Sequence, residues 1–92
     1  MDHPKVTLND IERKIVKEEY HRFANTTLTV CVLTLQNGTT ITGESACVSP
    51  ENFDEQLGRK YAREKAIEKI WALEGYLLKE NLYRASKQDQ RK

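Results

Sequence analysis

Ile11, Ile15, Val16, Tyr20 and Phe23 recur at helical spacing behind Thr7 and Asn9, either of which can cap a helix. Asp10 and Glu12 then fall in the positive first turn, and Glu18 and Arg22 stand four apart in the supportive orientation. The spacing predicts a first helix that ends near Ala24-Asn25. From Thr26 to Gln36 the chain changes to Thr, Val, Leu and Cys, residues that suit a pleated surface. Asn37-Gly38 follows, a pair that readily takes positive φ, and a second such run spans Thr39 to Val48. The pattern predicts an antiparallel β-hairpin closed by a two-residue turn. In that register Gln36 pairs with Thr39, Thr34 with Ile41, Val32 with Gly43 and Leu28 with Cys47. One face then holds Leu28, Val30, Val32, Ile41 and Cys47. The other holds Cys31, Leu33 and Leu35 beside Thr40, Thr42 and Glu44. That second face is half apolar and a lone hairpin is barely stable, so something must cover it; a second copy of the chain is one candidate.

Ser49-Pro50-Glu51 is a helix start: a capping hydroxyl, a proline for the first helical position, and a carboxylate for the dipole. The stretch from Pro50 to Phe53 reads as a short turn helix, recapped by Asp54. A long helix follows from about Glu55 to Tyr83, with two apolar seams, Ala62-Ala66-Ile70-Leu73-Leu77 and Ile67-Trp71-Leu78-Leu82. Trp71 is expected to anchor the core. Such a helix is roughly 43 Å long, against a diameter of roughly 32 Å for a compact domain of this size. Either Gly75 bends it, or it overshoots and packs on another chain. The fold expected is therefore α+β, a single domain over residues 1–84 that assembles as at least a dimer. A mobile basic tail is expected over 85–92, which carries no apolar anchor.

Charge changes the picture by subtraction. Lys plus Arg number 15 and Asp plus Glu 14, a formal net charge of +1 that argues against a dedicated nucleic-acid binder. No run is long and apolar enough to span a bilayer, so no membrane partner is expected. Met1-Asp2-His3-Pro4 opens no apolar signal segment, which places the expected location in the cytoplasm. Cys31 and Cys47 point to opposite faces of the predicted hairpin and are not expected to pair there. His3 and His21 stand at no metal-ligand spacing from them, so no metal is expected.

Candidate chemistry is sparse. Gly38, Gly43, Gly58 and Gly75 stand alone, with no phosphate loop or dinucleotide pattern around them, and no cofactor is implied. Cys31 with His21 is conceivable as a nucleophilic pair, but a small strand residue and an exposed histidine explain both more simply. Glu51 with Asp54 is better read as first-turn dipole and capping residues than as an acid–base pair. The chain is not expected to be an enzyme. Binding has more support: Asn52, Phe53, Arg59, Tyr61, Arg63 and Lys69 interleave aromatic faces, an amide and cations around the start of the long helix. Such planes and charges suit a base and a phosphate. A solvated helix face, with Phe53 stapling the turn to the core, is the competing reading. Gly58, Ala62 and Ala66 are spaced four apart, and small residues at that spacing more often allow close helix packing than ligand approach.

The phrases Leu33-Thr34-Leu35-Gln36-Asn37-Gly38, Gly43-Glu44-Ser45-Ala46-Cys47-Val48 and Pro50-Glu51-Asn52-Phe53-Asp54 occur with Gly58-Arg59-Lys60, Ala62, Ala66 and the run from Ile70 to Leu78. Together they resemble a family of small bacteriophage proteins named after gene forty-nine of one phage and gene sixty-six of another. The likeness runs from about Thr27 to Leu82 and leaves the first helix and the tail outside it. The resemblance extends to the first class of Thoeris anti-defence proteins. Those sequester cyclic ADP-ribose-type signals made by bacterial TIR-domain proteins without cleaving them, and some also take up cyclic oligonucleotides. It implies a non-enzymatic homo-oligomer in the bacterial host cytoplasm, with ligand pockets between chains. A sponge of that kind needs planes for bases and cations for phosphates. Phe53 and Tyr61 are the stacking candidates, Arg59, Arg63 and Arg84 the phosphate partners, and Asn52 a hydrogen-bonding partner for a base edge or ribose. Arg84 lies roughly 37 Å along the helix from Arg59, so it can join them only from a second chain. The alternative is a small phage protein that docks on a host or phage protein through its apolar sheet face.

Overall fold

The computed structural model describes residues 5–49, 51 and 53–89, with backbone alone for 88 and 89. Its elements are α1 (Leu8–Lys14), β1 (Ile15–Arg22), β2 (Thr29–Leu35), β3 (Thr40–Ser45) and α2 (Glu55–Asp89), an α+β arrangement. The strands form one antiparallel sheet in the order β1-β2-β3, and α2 lies across one face of it.

Thr7 is the cap of α1. Its hydroxyl accepts from the Asp10 N–H at 3.2 Å while the Asp10 carboxylate accepts from the Thr7 N–H at 3.0 Å. The helix is far shorter than its apolar spacing predicts. It stops at Lys14, and residues 15–22 form a third strand. The reason lies in the partner and in the phase. β2 is a central strand whose second edge needs hydrogen bonds, and β1 supplies them. A bulge between Ile15 and Lys17 then shifts the alternation by one residue. Ile15, Glu18, Tyr20 and Arg22 consequently share the phase of Leu35, Leu33, Cys31 and Thr29, a pattern that reads as neither a clean strand nor a broken helix.

The turn between β2 and β3 also corrects the expected register. Leu35 donates its N–H to the Thr39 carbonyl and Gly38 donates to Leu35, closing a three-residue loop with Gly38 at φ +91. Thr34 therefore pairs with Thr40, Leu33 with Ile41 and Cys31 with Gly43. One residue of slip carries Ile41 to the face of Cys31, Leu33 and Leu35, where all four are buried. The half-apolar face is thus completed within the chain. Val30 and Val32 belong to the opposite face and are half-buried.

Asp54 caps α2, accepting from the N–H groups of Gln56 and Leu57 at 3.0 and 3.2 Å. The expected turn helix before it rests on Pro50 and Asn52, which lie outside the described residues. Ala62, Ala66, Ile67 and Ile70 bury against Ile11, Cys31, Leu33, Leu35 and Ile41. Contact is closest at Gly43, where a Cβ would collide with the backbone of Ala62 and of Ala66. A Cβ on Gly58 would come within 3.0 Å of the Thr29 hydroxyl. The small residues Gly58, Ala62 and Ala66 therefore serve close packing.

Past Ile70 the helix leaves the sheet. It runs unbroken through Gly75 to Asp89, 35 residues in all and so roughly 52 Å. The helical part of the expected tail is 85–89; the rest lies outside the described residues. The molecule measures 65 × 24 × 19 Å with a radius of gyration of 17.6 Å, against roughly 12 Å for a compact chain of this length. Trp71 does not anchor the core. At 38% exposure it flanks the buried row, and Leu73, Tyr76, Leu77, Leu82 and Tyr83 are more exposed still. Only the first half of the seam Ala62-Ala66-Ile70-Leu73-Leu77 is buried, because the sheet beneath it ends.

Candidate functional site

A cleft of about 220 Å³ opens where the first turns of α2 meet the end of β3 and the segment before β2. Phe53 and Tyr61 wall it, with Leu57, Gly58 and Cys47 between them. The Thr27 hydroxyl fixes its far side by donating to the Cys47 carbonyl at 2.6 Å and accepting from the Cys47 N–H at 3.1 Å. The Cys47 thiol is half-buried and lies 2.8 Å from the Ser49 carbonyl oxygen. Cys31, by contrast, is fully buried in the core, and burial pushes its thiol above the usual range. Both cysteines are free thiols.

The two expected stacking residues are thus brought together, but the cations are not. Positions 59 and 63 lie one turn apart on one flank of α2, and 57 and 61 on the other. Arg59 leans over the Tyr20 ring at 5.2 Å and stands 3.9 Å from Glu55. Arg63 is already held. It makes two bonds to Glu12, at 2.7 and 3.1 Å, and one to Glu18 at 3.0 Å. These bonds hold the Glu12 carboxyl below the usual range. Glu18 is lowered too, first by the Tyr20 hydroxyl that donates to it at 2.6 Å and then by Arg63. Burial and the Glu18 bond together raise the Tyr20 phenol. A guanidinium so held is a clasp between α1, β1 and α2. Arg84 pairs with Glu80 on its own helix at 3.1 Å, far from the cleft. Asn52 lies outside the described residues.

The spacing in the sequence did not single out Arg22, whose guanidinium covers the Phe53 ring at 4.3 Å from its centroid. The helical spacing places it in a helix, so its position at the end of a strand beside Phe53 has no local signal. A larger hollow, about 590 Å³, lies between α1 and the far half of α2. Most of its charges are paired internally, Lys14 with Glu74 and Asp10 with Thr7 and Arg13. Among the described residues no group of three His, Cys, Asp or Glu could hold a metal ion, and no helix is long and apolar enough to cross a membrane.

A long helix on a three-stranded antiparallel sheet, with an aromatic cleft at the helix start, defines a small α+β protein built on one layer of each. Within that class the chain belongs to the phage protein (N4 Gp49/phage Sf6 gene 66) family, whose family model matches residues 6–82. The match takes in α1 and β1, which the resemblance read from the sequence had left outside. No curated protein and no solved structure matches the chain.

Proposed function

We propose that this phage protein is a sponge: it binds a cyclic nucleotide signal of host immunity, of the cyclic ADP-ribose type or a cyclic oligonucleotide, and holds it without cleaving it. The observation that carries this reading is the cleft between Phe53 and Tyr61, two ring faces set beside an arginine. At about 220 Å³ it is smaller than the roughly 300–1,000 Å³ of complete ligand sites. A second chain would supply the remaining wall, which accords with a helix that overshoots its own sheet. On this reading the protein works in the host cytoplasm as a homo-oligomer, binds no membrane or nucleic acid, and needs no cofactor or metal. Resemblance to the Thoeris anti-defence proteins supports the ligand class.

The test is mass spectrometry of small molecules carried through purification, followed by thermal shifts with a panel of cyclic nucleotides. Ligand at a thousandfold excess over Kd stabilises by about 4 kcal/mol. Heating the loaded protein should release the same molecule that went in; a hydrolysed product would make this an enzyme and sink the reading. A second reading, docking on a host or phage protein, draws on a different observation, the exposed Leu73, Tyr76, Leu77, Leu82 and Tyr83 of α2. A panel without any shift would favour it.

A further inference from the structure

Arg22 differs from its counterparts. Arg13, Arg59, Arg63 and Arg84 each have a carboxylate within 4.0 Å, whereas Arg22 has none among the described residues. Its guanidinium rests on the Phe53 ring, and its Nε–H donates to the Thr26 carbonyl at 3.3 Å. The backbone is fixed meanwhile by the register of β1 against β2, where Arg22 pairs with Thr29. What the sheet fixes is the root of the side chain; the cation at its tip is held by one ring face and one neutral oxygen.

The surroundings continue the aromatic cleft. On the other side of Thr27 and Cys47 lies an open basin of about 510 Å³, lined by Arg22, Asn25, Thr26, Thr27, Cys47 and Val48. Thr27 and Cys47 line both hollows, so cleft and basin adjoin across these two residues as the two parts of a trough. One end is aromatic and the other is an amide, hydroxyls and a cation, with Arg22 at the seam. Asn25 shapes that polar end by taking φ 63, a conformation asparagine tolerates better than most residues. A nucleotide is divided in the same way, into a flat base, a hydroxylated sugar and an anionic phosphate.

We infer that Arg22 is the phosphate-binding residue of this trough and that the basin takes the ribose–phosphate part of a nucleotide whose base stacks on Phe53. This rests on the nucleotide-binding reading above and adds a residue and a subsite to it. In the free chain the guanidinium occupies the ring face. A base that takes this face displaces it, and the freed cation turns to the phosphate beside it. Charge-assisted bonds to phosphate are stronger than a cation resting on a half-buried ring, so the exchange favours the loaded state.

The experiment is calorimetric titration of adenosine, AMP and cyclic ADP-ribose into the wild-type chain, Arg22→Gln and Arg22→Lys, with the melting temperature of each variant as a check on folding. Arg22→Gln should weaken AMP and cyclic ADP-ribose by tenfold or more, change adenosine by less than threefold, and leave the melt in place. Arg22→Lys should recover part of the loss. Arg22→Gln with wild-type affinity for both phosphate-bearing probes would overturn the inference and leave the nucleotide-binding reading standing. Tighter binding by Arg22→Gln would overturn it too, by showing the guanidinium to be only a plug. A wild-type chain that takes up none of the three would overturn the inference and, with it, the cyclic ADP-ribose form of the reading beneath it.

Discussion

Gly43→Ala puts one methyl group where the structure has no room for it. The added carbon would meet the Ala62 carbonyl oxygen and the Ala66 amide nitrogen, both backbone atoms of α2 and neither able to rotate aside. Relief therefore requires the helix to lift from β3 and take Ile67 and Ile70 with it, away from Leu33 and Ile41. Overpacking costs about 1–3 kcal/mol where side chains can adjust, and here they cannot, so about 3 kcal/mol is expected. A domain this small has only about 5–14 kcal/mol in total. At about 4–8 °C per kcal/mol the midpoint should fall by about 12–24 °C. The assay is thermal unfolding by circular dichroism at one protein concentration, with Gly75→Ala as the control. At Gly75 an added carbon meets nothing within 4 Å, and the residue lies inside α2. There the same substitution should stabilise by about 0.5–1 kcal/mol, since glycine weakens a helix interior. Gly43→Ala melting within about 3 °C of wild type, with its spectrum unchanged, would refute the packing described at this contact.

Three further outcomes are expected. The Glu12 and Glu18 carboxyls titrate below the ordinary glutamate value of 4.5 in the folded chain, so the stability they contribute is present above that pH and is lost as pH falls through their folded values. Acid titration followed by circular dichroism should show this loss, and Arg63→Met should reduce it; an unchanged acid limb would remove the clasp from the account. Differential alkylation read by mass spectrometry should label Cys47 in the native protein and spare Cys31 until unfolding, because only the former reaches the surface; equal labelling rates would contradict the buried position of Cys31. Tyr61→Ala should weaken capture of cyclic ADP-ribose by roughly 5- to 150-fold, the worth of about 1–3 kcal/mol of base stacking, while the melting temperature stays near wild type; titration calorimetry decides it, and retained affinity would take Tyr61 out of the site.

Periodicity located the long helix, its Asp54 cap and the turn at Gly38, because each is set by residues close in sequence. It failed at β1 for two separable reasons. Ile15, Val16 and Tyr20 fit a helical stripe as well as a strand, and the bulge after Ile15 hides the alternation that would have told them apart. The hairpin register failed by one residue because Asn37-Gly38 serves either a two- or a three-residue loop; burial of Ile41 beside Leu33 chooses between them, and that choice is made by α2. For the candidate site, Phe53 and Tyr61 were legible as aromatic residues near a helix start. Arg63 and Arg22 were not: acids distant in sequence engage the first, and the second reaches Phe53 only through the sheet.

The order in which the core is synthesised has a consequence for the newborn chain. Strands β1 to β3 are complete once Ser45 has been added, and hairpins close in about 1–10 μs. The residues that cover their apolar face, Ala62 to Ile70, come later, and at about 5–20 residues per second the interval to Ile70 is about 1–5 s. Through that interval Cys31, Leu33, Leu35 and Ile41 have no lid. The sheet meanwhile offers two bare edges. One is charged at Lys17, Glu18 and Glu19, which discourages strand-to-strand joining; the other is the six-residue β3, short enough to make a poor template. The nascent sheet thus carries its own protection against aggregation during the seconds before its helix is made.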